Sequence, residues 1–156
     1  MTKYLIVFLI SMVPILELRF AMPIAISMDL PYLPALITCV IGNMLPVPVI
    51  YLFARKFLIW GSDKKYIGKI CSFFLEKGEK AGQKLVAATG RGGLFVALLL
   101  FVGIPIPGTG AWTGTLGASF LNLGPKTTVV AVSLGVIMAG IIMAVASGSV
   151  FHIVGL

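Results

Sequence analysis

TTVVAVSLGVIMAGIIMAVASGSVF, residues Thr127–Phe151, runs for 25 positions without a charged side chain. As a helix rising about 1.5 Å per residue it reaches about 37 Å, more than the roughly 30 Å hydrocarbon thickness of a bilayer. A soluble protein would have to cover such a helix on every side, and this chain has little to cover it with. Of its 156 residues, 59% are hydrophobic and 11% charged, against roughly 25% charged in soluble domains. The chain reads as an integral membrane protein whose apolar surface is hidden in lipid.

Leu33–Ala54 is a second run of spanning length and stops at Arg55-Lys56. Two other apolar stretches, Tyr4–Leu16 and Leu94–Ile106, are too short to span unless they continue through polar or Pro/Gly-rich sequence. The first meets Glu17 and Arg19, then Phe20–Leu30 with Asp29 near its end, and Pro14 and Pro23 flank the charges. The second meets Pro105, Pro107, Gly108 and Gly110 in PIPGTGAWTGTLGA, Pro105–Ala118. Short apolar arms joined by such breaks predict re-entrant hairpins or broken helices, whose irregular backbone must face protein or a wet cavity. Four ordinary, kinked spanning helices are the alternative. Lys3 ahead of Tyr4–Leu16 is signal-peptide-like, but Glu17, Arg19 and Pro23 stand before the loosely cleavage-like Ala25-Ile26-Ser27 and speak against cleavage.

Between the apolar blocks lies the charge. Arg55, Lys56, Lys64, Lys65, Lys69, Lys77, Lys80, Lys84 and Arg91 face only Asp63, Glu76 and Glu79, so the positive-inside rule places this segment in the cytoplasm. The same clustering turns the net charge of +7 into a topology signal and argues against nucleic-acid binding. Ile67, Ile70, Phe74, Gly78, Ala81 and Leu85 recur at helical spacing, with Lys65, Lys69, Glu76, Lys80 and Lys84 on the other face. That predicts an amphipathic helix over 64–85 lying on the anionic inner leaflet.

The two sides of the charged segment resemble each other. A shift of 93 residues sets Phe8 on Phe101, Pro14 on Pro107, Ala25 on Ala118, Asp29 on Asn122, Leu30 on Leu123 and Gly42 on Gly135. The expected fold is therefore an all-α integral membrane protein of one membrane domain, 1–156. Residues 1–56 form a first repeat, 57–93 a cytoplasmic linker and 94–156 a second repeat. Each repeat is a re-entrant or broken hairpin plus a long transmembrane helix, the layout of many transporters. One hairpin and one span per half inverts the second half and puts both termini outside, whereas four plain spans put both inside. Gly140, Ala144, Gly148 and His152 recur every fourth position on the last helix, a small-residue face suited to close packing.

Glu17 and Arg19 are the sharpest chemical signal, because ionisable groups inside apolar segments are costly and usually face a cavity or a partner. Two apart on one helix they do not meet, but across a break they can. Low dielectric disfavours a charged carboxylate and a neighbouring guanidinium favours it, a balance suited to taking up and releasing a proton. Placement at the membrane surface is the alternative. Asp29, before Pro31, is either a pathway residue or a turn residue. In the Pro105–Ala118 run, Thr109 and Thr113 add hydroxyls and Trp112 an amphipathic ring. Their exposed backbone dipoles can hold an ion or anionic group at a half-helix end, or form an interfacial turn. Asn43, within the kink-prone GNMLPVP of Gly42–Pro48, is packing glue or a substrate ligand.

No nucleophile–base pair, phosphate loop or metal motif is visible, so no catalytic residue, metal or cofactor is expected. Cys39 and Cys71 are predicted unpaired, and His152 is the only histidine.

ELRFAMP at Glu17–Pro23, GNMLPVP and PIPGTGAWTG at Pro105–Gly114 together resemble the small multi-drug export proteins. More weakly, the layout is similar to the DedA membrane proteins, with two facing re-entrant loops and roles in proton-linked and lipid-carrier movement. That resemblance implies Glu17 and Asp29 as the acidic residues of the first loop and matches Gly42-Asn43, Tyr51 and Arg55. The second loop departs, carrying Thr109 where DedA proteins carry an arginine. The expected function is a small homodimeric secondary exporter in the cell membrane, coupled to protons. The alternatives are a DedA-type lipid flippase and a membrane scaffold without substrate.

Overall fold

The computed structural model describes residues 2–14, 16–106 and 109–154, and side chains at all of these except 74, 78, 81, 82, 85 and 148–154. Within them the secondary structure is all helix, with no strand. The helices are α1 Thr2–Met12, α2 Glu17–Ser27, α3 Tyr32–Met44, α4 Pro46–Ser62, α5 Gly68–Gly103, α6 Ala111–Phe120 and α7 Pro125–Val154. Of the expected features, Pro107, Gly108 and both termini lie outside the described residues, as do the side chains of Phe74, Gly78, Ala81, Leu85, Gly148 and His152.

Three helical stretches are long and apolar enough to cross a membrane: Tyr32–Ser62, Val86–Gly103 and Pro125–Ser147. The first joins α3 to α4 through Leu45, which keeps right-handed helical dihedrals although Pro46 follows it. Proline at the first position of a helix needs no amide donor, so GNMLPVP continues as helix. Val86–Gly103 starts earlier than the sequence pattern predicts, because α5 carries the charged segment into the apolar arm with Gly90 as the non-helical residue between its two parts.

Gly90 divides α5. Its φ of 69° and ψ of 172° are non-helical, in a region that only glycine adopts readily. The kink sits where the polar sequence ends, leaving Arg91–Gly103 as the apolar arm, about 20 Å long.

The short helices fold back on their neighbours. Lys3 Nζ donates to the Met28 carbonyl at 2.7 Å. The start of α1 thus lies beside the end of α2, and the chain reverses around 13–16. In the other half, Leu94 packs on Ala118 and Leu123, so the Arg91–Gly103 arm and α6 reverse around 104–110. Helices α1 and α2 have 11 residues each and α6 has 10, about 15–16 Å or half a bilayer core.

The two reversals share details. Asp29 and Asn122 both have φ of 56°. Leu30 N–H donates to Ala25 O and Leu123 N–H to Ala118 O, at 3.1 and 3.0 Å. A β-carbon on Gly42 would strike Ser11 and the Phe8 carbonyl of α1, and one on Gly135 would strike the Leu99 carbonyl and Val102 of α5. Both crossings are backbone-close. Each short helix also packs on the other half: α2 on α7, and α6 on α4. Gly140 of α7 abuts Leu36 and Leu18, and Ala144 is buried, so the small-residue face of α7 packs within the chain. One core holds Val7, Leu18, Met22, Cys39, Val102 and Val132 together.

Replacing Gly90 with alanine is expected to lower stability by about 1–3 kcal/mol, read by thermal unfolding of the detergent-solubilised protein. Nothing lies within 4 Å of a β-carbon built there, so the effect is conformational, and an unchanged midpoint would remove the argument.

Candidate functional site

The two reversals meet. Helix α2 begins at Glu17 with φ of 48°, a left-handed conformation uncommon for glutamate. This turn sends the side chains of the first α2 turn to the 104–112 segment of the other half. Glu17 is buried, and its Oε1 accepts the backbone N–H of Trp112 at 3.3 Å, in the first turn of α6. The carboxylate lies over Gly110, where an added β-carbon would fall 2.0 Å from Oε2. Gly110 itself has φ of −151°, extended backbone open to any residue, so what restricts this position is the space the carboxylate occupies.

Arg19 turns to the opposite end of the break. Its guanidinium donates to the Ile106 carbonyl, to Thr109 Oγ1 at 2.9 Å and, at the long limit of 3.5 Å, to the Ile104 carbonyl. These acceptors lie just past the C-terminal end of α5. The negative charge thus sits at a helix N-terminus, where the dipole is positive, and the positive charge sits beyond a helix C-terminus, where it is negative. Each ion is met by backbone dipoles of the broken element, which is how such groups become tolerable in low dielectric.

Thr109 and Thr113 complete the break differently. Thr109 Oγ1 is within donating distance of the Ile106 and Ile104 carbonyls, at 2.9 and 3.0 Å, and so links them to Arg19. Thr113 Oγ1 accepts the Gly110 N–H at 2.9 Å, tying the third residue of α6 back to its N-cap. Thr113 is therefore tied to its own helix end. Trp112 Nε1 is buried without a hydrogen-bond partner among the described residues, as are Asn43 Oδ1 and Thr115 Oγ1. Asn43 lies 11 residues along α3 from Tyr32, about 16 Å in. Buried polar atoms without partners are uncommon and costly.

Other expected site residues lie elsewhere. Asp29 is exposed at the left-handed turn after α2, a full helix length from Glu17. Aspartate is among the residues that accept this conformation. Pro14 lies in the break before α2, but Pro23 stands inside α2, so it belongs to the helix and not to the loop. There it removes the amide that would bond the Arg19 carbonyl. Pro105 flanks the acceptors of Arg19. Among the described residues no group of three or more His, Cys, Asp or Glu side chains could hold a metal.

A second polar cluster ties the α6–α7 turn to α4. Tyr51 Oη donates to the Leu123 carbonyl, Ser119 Oγ donates to the Tyr51 carbonyl at 3.2 Å, and Arg55 donates to Asn122 Oδ1. Arg55 also lies 3.7 Å from Glu79 of α5. The sequence cues to this cluster are the alignment of Asn122 with Asp29 and the DedA-like match at Tyr51 and Arg55; three of its four acceptors are backbone oxygens or a lone amide.

A family model described as "Putative small multi-drug export protein" matches residues 17–142, from the buried glutamate to the last helix. No curated protein and no solved structure matches the chain.

Removing the carboxylate and filling its space should have the same effect. Glu17→Ala and Gly110→Ala are each expected to lower stability by about 1–2 kcal/mol, the range for losing a helix N-cap. The double variant should be no worse than either alone, because both remove one interaction. Additive losses in thermal unfolding would show that Glu17 does not act through the α6 terminus.

Proposed function

The chain belongs to that family of small multi-drug export proteins, and on this premise we propose that it is a proton-coupled secondary exporter in which Glu17 carries the proton. That it is a multi-pass membrane protein follows from its three apolar helices and the family match. The observation that carries the proposal is the Glu17 carboxylate at the N-terminus of α6, 95 residues away in sequence. A deprotonated Glu17 holds the two halves together through a charge–dipole contact. Protonation removes the charge from that contact and loosens it. Arg19, bound to the far side of the break, keeps the loop in place while the carboxyl exchanges.

The architecture behind this reading has two halves of inverted topology, residues 1–56 and 94–156, joined by a cytoplasmic linker at 57–93. The matching turns at Asp29 and Asn122 support it, as do the matching glycine crossings and the packing of each short helix on the other half. The open end of the first hairpin lies beside Lys3 and Met28, near the start of α3. That of the second lies beside Tyr51 and Arg55, late in α4. Some 20 residues of continuous helix separate these levels, about 30 Å. The hairpins thus enter from opposite faces and touch at their tips, where Glu17 and Arg19 sit.

The linker helix rests on the inner leaflet. Tyr66 is 91% exposed, and Ile70 and Phe73 are also exposed. Lys64 Nζ stands 4.7 Å over the Trp60 ring and Lys77 Nζ 5.5 Å over Phe73. Cations over aromatic rings at an apolar–polar boundary suit a headgroup layer. Glu76, hydrogen-bonded to Lys80, has its carboxyl held below the usual carboxylate range, so the acid in this face stays charged.

Proteoliposomes with an imposed proton gradient test the mechanism. Glu17→Gln is expected to cut export at least tenfold, about 1.4 kcal/mol, and to flatten its pH dependence. Retention of both would end the proton role. Lipid movement without drug flux in the same vesicles would favour the flippase alternative.

The topology is tested with Thr2→Cys, at the exposed start of α1. The background carries alanine at Cys39 and Cys71, both buried. An impermeant thiol reagent should label it from outside the cell. Labelling only from the cytoplasm would mean plain spans.

A further inference from the structure

Two cavities lie on the linker side of the second hairpin, away from the Glu17 cluster. The larger, about 680 Å³, opens between the linker part of α5 and the α6–α7 turn, and is lined by Gln83, Arg91, Asn122, Gly124 and Thr127. The smaller, about 310 Å³, lies between the apolar arm of α5 and α6. Leu94, Leu121 and Leu123 line both. The two cavities therefore adjoin at these leucines, a polar mouth beside an apolar groove. The groove passes Gly93 and Ala97 and reaches Phe101 and Thr113. From Gly93 to Phe101 is about 12 Å along the helix.

We propose that this space is a binding site for an anionic amphiphile, with its head in the mouth and its hydrocarbon body in the groove. The groove is walled by small residues, Gly93, Ala97, Gly114, Gly117 and Ala118, and a β-carbon built on Gly117 meets nothing within 4 Å. Its lining is predominantly apolar, so an apolar body gains by entering it.

The mouth selects the head by charge. Arg91 lines it, and the first turn of α7 presents its amide end there at Gly124 and Thr127. The one acid at the mouth, Glu79, already lies 3.7 Å from Arg55. From Lys80 to Leu156 the chain has no other acidic residue. A cationic head would meet Arg91 without a free counter-charge, whereas an anionic head would be paired.

The site deepens the exporter reading and rests on it, because the groove ends at Thr113 and Gly114, in the same α6 turn that binds Glu17. An amphiphile collected at the cytoplasmic leaflet would thus be led toward the meeting point of the two hairpins.

The test uses the purified full-length protein in nanodiscs and three fluorescent probes sharing one alkyl chain, with carboxylate, trimethylammonium or alcohol heads. The carboxylate probe is expected to bind about tenfold more tightly than the ammonium probe. Arg91→Gln should bring it to the level of the alcohol, and Gly117→Leu should weaken all three by about tenfold. Ala97→Leu, at an exposed groove position, provides a second plug should Gly117→Leu fail to fold. Unchanged binding in a folded plug variant overturns the groove, and equal or tighter binding of the ammonium probe overturns the anionic head. Glu17→Gln should bind the carboxylate probe as the wild type does, whatever happens to its export. Loss of binding in that variant would overturn the assignment to this groove.

Discussion

Two opposite charges, Glu17 and Arg19, stand two positions apart at the start of α2, and each is held by a different end of the same interruption in the other half of the chain. The carboxylate meets the amide end of α6 and the guanidinium meets carbonyls just past α5. Nearly everything else in the structure serves this exchange. It requires two short helices whose ends meet, a glycine at 110 to leave room for the carboxylate, and a left-handed residue to turn the chain into α2. It also explains why the break in the second half needs no charged residue of its own. Its helix ends act as fractional charges, and the first half supplies the ions that match them.

The asymmetry between the halves follows the same logic. Position 110 corresponds to Glu17 under the 93-residue shift, so the glycine stands where the other half has its acid. One copy provides the side chain and the other provides the space. The α6–α7 turn is likewise pinned to α4 by Tyr51, Arg55, Ser119 and Asn122. At the α2–α3 turn the corresponding tie described is the bond from Lys3 to Met28. The second hairpin is thus the better anchored of the two.

What the sequence reveals here depends on whether side chains or backbone carry the interaction. The membrane class, the two long runs and the importance of Glu17 and Arg19 are legible because they are properties of side chains in apolar surroundings. Their partners are mostly amides and carbonyls, which every residue has, so no motif announces them. Thr109 is the exception, visible as a hydroxyl and found on Arg19. Asp29 carries the same chemistry as Glu17 in the sequence and a similar left-handed φ, 56° against 48°, and is separated from it by placement alone: it stands in the exposed turn after α2. The extent of α5 is hidden for a different reason. Across 86–94 the one charged residue is Arg91, and two helical stretches meet with Gly90 as the non-helical residue between them, so no polar break marks where the linker ends and the arm begins.

The left-handed backbone of Glu17 gives its side-chain contact a mechanical meaning. A non-glycine residue in that region costs about 1–2 kcal/mol, and here the cost is borne at the junction between the first reversal and α2. The carboxylate bond across to α6 acts as the catch on a small spring. While the catch holds, the tension stays in one peptide unit. Were the catch released, as the proposed protonation of Glu17 requires, relaxation of that unit would turn the start of α2 and Arg19 with it. If Glu17 carries the proton as proposed, a chemical event that small would be geared to the displacement of a helix end, without any need for a large hinge.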